Sequence, residues 1–176
     1  MKQKITGRNI KRRLYGLRNL GSNIKRARYF RGHGVHSPFV YAIVRQVFMR
    51  STFIDERRDL YDALIAIGAP VRRARELQNL MAHCGYNRFG IDCATEGFSQ
   101  YDIVIATTEI AATELSLMAN AATQAGITLC ITRPMLDSER DQACKRIVEE
   151  HRCTSVDNRG YLLLFNNHLP KQKFRL

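Results

Sequence analysis

The first apolar positions of the chain, Ile10, Leu14, Leu17, Leu20 and Ile24, fall four, three, three and four residues apart, a spacing that lines one face of a helix. Lys11, Arg12, Arg13, Arg18, Lys25, Arg26, Arg28 and Arg31 fill the positions around that stripe, so the predicted helix is amphipathic and cationic. Gly7, Gly16 and Gly21 each cost such a helix about 1 kcal/mol relative to alanine, so part of its order is expected to come on contact with a partner. Ser37 followed by Pro38 then reads as an N-cap and first-turn proline. It opens a helix whose buried face is Val40, Ile43, Val44 and Val47.

Beyond Asp55 the pattern alternates between helical and strand-like. Asp59 to Ile67 predicts a short helix stopped by Gly68-Ala69-Pro70, and Val71 to His83 a longer one with Ala74, Leu77, Leu80 and Met81 on one face. Arg88 to Cys93, Tyr101 to Thr107 and Ile127 to Thr132 are short apolar runs of strand type. Helices are expected at Ile110 to Ala125, ended by Gly126, and at Ser138 to His151, capped by Asp137 or Ser138. Cys153 to Val156 and Tyr161 to Phe165 flank Asp157-Asn158-Arg159-Gly160, a strong hairpin signal. The predicted body is α/β, with at least one right-handed crossover and an antiparallel hairpin at its end.

Charge changes this picture. Residues 1–54 hold 13 Lys/Arg and no Asp or Glu, whereas the other 122 residues carry 15 basic and 16 acidic side chains, so nearly all of the net +12 sits in the first third. The chain is a basic arm, residues 1–36, on a nearly neutral domain, residues 37–176. Such an arm is suited to a polyanion, because each phosphate contact releases counterions. A membrane interface is a weaker fit: the arm has no Trp, and Tyr15, Tyr29 and Phe30 are thin interfacial anchors. No apolar run reaches the roughly 18 residues of a spanning helix, and no secretory leader pattern opens the chain, so the expected location is cytoplasmic. Cys84, Cys93, Cys130, Cys144 and Cys153, odd in number and without a CxxC pair, read as reduced, mostly buried thiols.

Four further stretches bear on identity. His33 to Val40 resembles the N-terminal signature of a group of bacterial class I S-adenosylmethionine-dependent methyltransferase-like proteins. The tail from Gly160 to Phe165, running on to Leu176, looks like their closing strand and terminal segment. Phe89 to Thr95 and Tyr101 to Ile105 resemble the family's first and fourth core strands. The resemblance implies a Rossmann-like sheet that binds S-adenosylmethionine on the turn after the first strand, here Asp92, Ala94, Thr95 and Gly97 if the cofactor site survives. That turn has a single glycine where close approach to a ligand usually needs several. Only Ala94 to Gln100 separate the first strand from the next, too few for intervening strands and helices. The acid that binds the ribose hydroxyls in the family is missing with them. What the resemblance implies is therefore a reduced, degenerate relative, most simply without a cofactor.

Local constellations add little chemistry. His33 and His36 have a ligand-like spacing, yet no Asp, Glu or Cys lies within ten residues of them. Asp92 with Asp102 as a carboxylate pair, His83-Cys84 with Cys93 as a metal set, and Cys84 as a nucleophile each lack a completing partner at a recognised spacing. No catalytic or metal-binding residue is assigned. Arg72, Arg73, Arg75 and Arg88 extend the cationic surface, or, for Arg72 and Arg73 beside Glu76, form a solvated face. The expected function is a non-catalytic methyltransferase-like protein that binds a polyanion, RNA favoured, through its arm. The alternative is an active S-adenosylmethionine-dependent methyltransferase with an atypical or subunit-completed cofactor site. A sheet edge left open by the missing strands is the expected route to a protein partner or homodimer.

Overall fold

The computed structural model describes residue 15 and residues 36–176. Ser37 caps the first described helix, α1 (Pro38–Ile43), its hydroxyl accepting the Val40 N–H at 3.4 Å, and α1 continues into a π-helical turn, Val44–Phe48. A helical hairpin follows, α2 (Asp59–Ala66) and α3 (Val71–Cys84). The strands and remaining helices are β1 (Phe89–Ile91), a 3-10 helix (Thr95–Gln100), β2 (Ile103–Ala106), α4 (Leu115–Ala125), β3 (Thr128–Thr132), α5 (Ser138–Glu150), β4 (Ser155–Asp157), β5 (Tyr161–Leu164) and β6 (Lys173–Arg175).

One mixed sheet joins the strands in the order β1-β2-β3-β5-β4-β6. β1, β2 and β3 run parallel, β5 is antiparallel to both β3 and β4, and β6 lies parallel to β4. Helices cover both faces, which is why the central strands read as continuous apolar runs. Ile103, Ile105, Cys130 and Leu163 point to the face packed by α1, the π-helical turn, α2 and α3, through Val40, Ile43, Val47, Leu60, Leu64, Leu77 and Leu80. Val104, Ala106, Leu129, Ile131, Leu162 and Leu164 point to the opposite face, under Leu115, Met118 and Ala122 of α4 and Ala143, Cys144 and Ile147 of α5. The two-residue period of the strands sorts these side chains into two cores. The α/β class and the closing antiparallel hairpin thus match the sequence pattern, as does the Gly126 stop, where φ is 70° and the Ile127 N–H returns to the Ala122 carbonyl at 3.0 Å.

Three expectations need correction. The helix read from Ile110 begins only at Leu115, because residues 107–114 form a loop whose carbonyls at Thr107 and Ile110 are taken by the Arg140 guanidinium. The last hairpin's first strand spans Ser155–Asp157 rather than starting at Cys153. The tail forms a sixth strand that the sequence hides: Lys173 and Arg175 are exposed, Phe174 packs on the core and Leu176 is buried. Outward cations are one of the ways by which edge strands are blunted.

The Cys144 thiol is pushed up to about 12 by burial, against the lowering effect of Arg140. Cys84 is raised to about 11 by burial, despite its hydrogen bond with Tyr86. Cys130, fully buried, is raised further. All three stay protonated at neutral pH, as structural thiols do.

His151, at the end of α5, is buried, and its Nε2 lies 3.0 Å from the Phe165 carbonyl oxygen. In the neutral ring with its proton on Nε2, that N–H donates to the carbonyl. Burial lowers its pKa below the usual value, against the raising effect of the Phe165 and Thr154 backbone contacts, and Lys171 lowers it further. The unfolded chain then takes up a proton near pH 6.5 that the folded chain refuses. Stability is full above that pH and falls as the pH drops through it, by up to about 1.4 kcal/mol per pH unit. Urea melts from pH 7.5 to 5 are expected to show this slope, reduced by about one proton in His151→Gln.

Candidate functional site

Parallel strands direct their carboxyl ends to one edge of the sheet, the usual place for a ligand crevice in α/β proteins. Here Thr107 and Thr108 follow β2, Thr132 closes β3 and Arg133 follows it, and Gly160 of the β4–β5 turn and Tyr161 at the start of β5 line the same cleft. The α2–α3 hairpin forms the opposite wall with Leu64, Ile67, Ala69, Pro70, Ala74 and Leu77, and the cleft between them holds about 510 Å³. That volume falls in the range of small-molecule sites.

Several polar groups at this edge are already committed. Asp92, just past β1 at φ 49°, accepts the Thr107 N–H at 2.7 Å and the Thr107 hydroxyl at 2.5 Å. Arg140, 2% exposed, donates to the Thr132, Ile110 and Thr107 carbonyls at 3.3, 2.7 and 2.8 Å. It thereby ties the β2 and β3 ends together and closes the space under them. Burial pushes the Arg140 guanidinium down from its usual pKa, against the raising effects of Cys144, Asp137 and Asp92.

Glu76 anchors a second network. Its carboxylate, 1% exposed, accepts from Arg72 Nε at 2.8 Å, Arg73 Nη1 at 2.6 Å, Tyr161 Oη at 3.0 Å and Asn158 Nδ2 at 3.4 Å. Burial, and next the Glu76 charge, raise the Tyr161 phenol well above its usual pKa, which keeps it a donor. The solvated face read from Arg72, Arg73 and Glu76 is thus corrected: the acid is interior, and its two arginines reach in to it. Arg73 also sits 5.5 Å from the Tyr161 ring centroid, a cation–π distance. A Cβ on Gly160 would lie 2.4 Å from Arg73 Nε, so a larger residue there requires the Arg73 side chain to shift.

The residues assigned to the cofactor turn sit elsewhere. Ala94 precedes the 3-10 helix, Thr95 and Gly97 lie within it, and the Gly97 N–H returns to the Ala94 carbonyl at 3.2 Å. Asp92, Ala94, Thr95 and Gly97 are not among the residues lining the 510 Å³ cleft. Residues 92–102 carry the chain from β1 directly into its parallel neighbour β2. Asp92 and Asp102 stand at opposite ends of these strands. Burial alone would raise the Asp102 carboxyl, but the Asn87 and Arg88 N–H groups and the Arg88 guanidinium outweigh it and hold the group below its usual value. Among the described residues no three His, Cys, Asp or Glu side chains gather as a metal set.

Lys11, Arg12, Arg13, Arg18, Lys25, Arg26, Arg28, Arg31 and His33 lie outside the described residues, and His36 is exposed. Tyr15, within the arm, donates its hydroxyl to Asp141 of α5, an acid that also pairs with Lys145 at 2.7 Å. Among the described residues no helix is long and apolar enough to cross a membrane. The sequence missed the cleft, since its walls come from segments 64–77, 107–108, 132–133 and 160–161, each unremarkable alone. No family model, no curated protein and no solved structure matches the chain.

Proposed function

We propose that this chain is a methyltransferase-like protein reduced to the second half of its sheet, acting without catalysis and holding a polyanion, RNA before others, through the basic arm at residues 1–36. The observation that carries the polyanion reading is the charge distribution: 11 Lys/Arg in residues 1–31, and the first acid only at Asp55. Counterion release on phosphate contact makes such an arm a strong and salt-sensitive binder.

Two features support the reduced, cofactor-free body. Strand 1 of the common doubly wound order 3-2-1-4-5-6 has strands 4 and 5 on one side. β1-β2-β3 is a parallel run of that kind, and β1 has no further strand beyond it among the described residues. The first acid after β1, Asp92, spends both carboxylate oxygens on Thr107, so a ligand would have to displace a charge-assisted pair of hydrogen bonds. Bracing Thr107 at the end of β2 is the simplest role for that aspartate.

Two titrations test the two halves. Calorimetry of the full chain with S-adenosylmethionine and with S-adenosylhomocysteine is expected to give no binding heat at millimolar ligand. Micromolar binding would overturn the non-catalytic reading and turn attention to a methyl acceptor. Binding of a single-stranded RNA is expected to weaken steeply with salt and to be lost when residues 1–31 are deleted.

A further inference from the structure

Arg133 is the cation of the cleft that the fold leaves unmatched. Arg73, its neighbour across the cleft, is held by Glu76 and packs on Tyr161. Arg140 is spent on three carbonyls. Arg133 is exposed and has no carboxylate within ion-pair distance among the described residues. Its backbone sits at φ 46° and its N–H is fixed to the Gly160 carbonyl at 2.8 Å, so the residue is pinned at the rim in a conformation that a non-glycine side chain adopts at a cost of about 1 kcal/mol or more. Thr108 and Thr132 line the cleft with it.

The facing wall has the opposite character. Leu64, Ala69, Pro70, Ala74 and Leu77 line it, and Ile67 at its lip is 56% exposed, with Val71 nearby in sequence 58% exposed. A large aliphatic side chain standing in water at the mouth of a cleft, as Ile67 does, gains by being covered. One apolar wall, one hydroxyl-bearing wall and one unmatched guanidinium define a site for an amphiphilic small molecule.

We propose that this cleft binds a small organic anion, its apolar body against Ile67, Ala69, Pro70 and Leu77 and its carboxylate, phosphate or sulfonate group on Arg133, with Thr108 and Thr132 as hydrogen-bonding neighbours. A guanidinium reads such oxyanions with two parallel N–H donors, which a point charge does not. The proposal stands apart from the RNA reading, since the residues it invokes, Ile67, Ala69, Pro70, Leu77, Thr108, Thr132 and Arg133, all belong to the body.

The test uses the full chain and two probes of equal body, naphthalene-1-sulfonate and the uncharged naphthalene-1-methanol, followed by amide and methyl chemical-shift mapping. The sulfonate is expected to bind more tightly and to move the resonances of Leu77, Thr108, Thr132 and Gly160. Arg133→Gln is expected to weaken the sulfonate about tenfold while leaving the alcohol unchanged, a loss the size of one charge-assisted contact. Arg133→Lys is expected to lose less, and Ile67→Ser to weaken both probes. Because Arg133 and Ile67 are exposed, all three variants are expected to fold as the parent does. Shifts confined to residues 1–35, equal affinity for the two probes, or a sulfonate affinity indifferent to Arg133→Gln would each overturn the proposal.

Discussion

Glu76→Ala is expected to lower stability by about 3–5 kcal/mol, the cost of breaking a buried ion pair and leaving its partner groups interior. For a chain of this size that corresponds to a fall in Tm of about 6–20 °C. The carboxylate is the shared acceptor for Arg73, Tyr161 and Asn158, and Tyr161 is 1% exposed and Asn158 2% exposed. Neither can turn to water when the acceptor goes: Tyr161 Oη loses its acceptor, and Asn158 Nδ2 keeps only the Tyr161 oxygen at 3.0 Å. Glu76→Gln keeps an oxygen for one donor and is expected to cost less, about 2 kcal/mol. Arg72→Ala provides the contrast. Its side chain is 53% exposed, and removal of an outer partner is expected to cost less than about 1 kcal/mol. Thermal melts of the three variants decide the matter: equal, small effects would mean that the network adds nothing beyond ordinary helix pairs.

The same network shows where sequence reading fails. Arg72, Arg73 and Glu76 have the three- and four-residue spacings of a surface ladder, and nothing local distinguishes them from one. What turns Glu76 inward is Tyr161, 85 residues later, a contact with no trace in periodicity. Arg140 is similar: within Ser138 to Asp141 it reads as a polar first turn, yet the β2 and β3 ends need a donor for their carbonyls, and the fold supplies this one. In both cases a charged side chain is buried because backbone or side-chain acceptors from distant segments meet it.

Elements whose cause is local were legible. Ser37-Pro38 fixes the start of α1 through a cap and a preset φ, and the observed helix begins at Pro38. The α2 and α3 boundaries follow from Gly68-Ala69-Pro70 and from Gly85, and they lie within a residue of those read from the pattern. The strands were found as apolar runs, because a sheet covered on both faces has no polar alternation to blur them. β6 was hidden for the converse reason: with Lys173 and Arg175 outward and only Phe174 inward, its three residues carry no apolar run. The brevity of the segment between β1 and β2 was legible as simple length, and the direct parallel pairing of the two strands follows from it. The carboxyl-end cleft was not legible, being assembled by topology alone.

The arm is expected to make the largest difference to the proposed RNA binding. Residues 1–31 carry 11 basic side chains against a body that is close to neutral, so nearly all counterion release on RNA contact is assigned to them. With about six to eleven phosphates engaged at about 0.7 each, log K against log salt is expected to slope between about −4 and −8. Between 50 and 200 mM KCl that slope amounts to a loss of about 10²–10⁵-fold in affinity. Deletion of residues 1–31 is expected to remove both the slope and most of the affinity, while the body, whose two cores draw on residues 39–176, keeps its fold by circular dichroism.

Fluorescence anisotropy of a labelled single-stranded RNA, titrated with the full chain and with the chain lacking residues 1–31 across that salt range, is the most direct test. The account predicts a steep linear salt dependence for the full chain and at least about a hundredfold weaker, salt-insensitive binding for the shortened one. A slope shallower than about −2, or binding by the shortened chain within threefold of the full one, would contradict it.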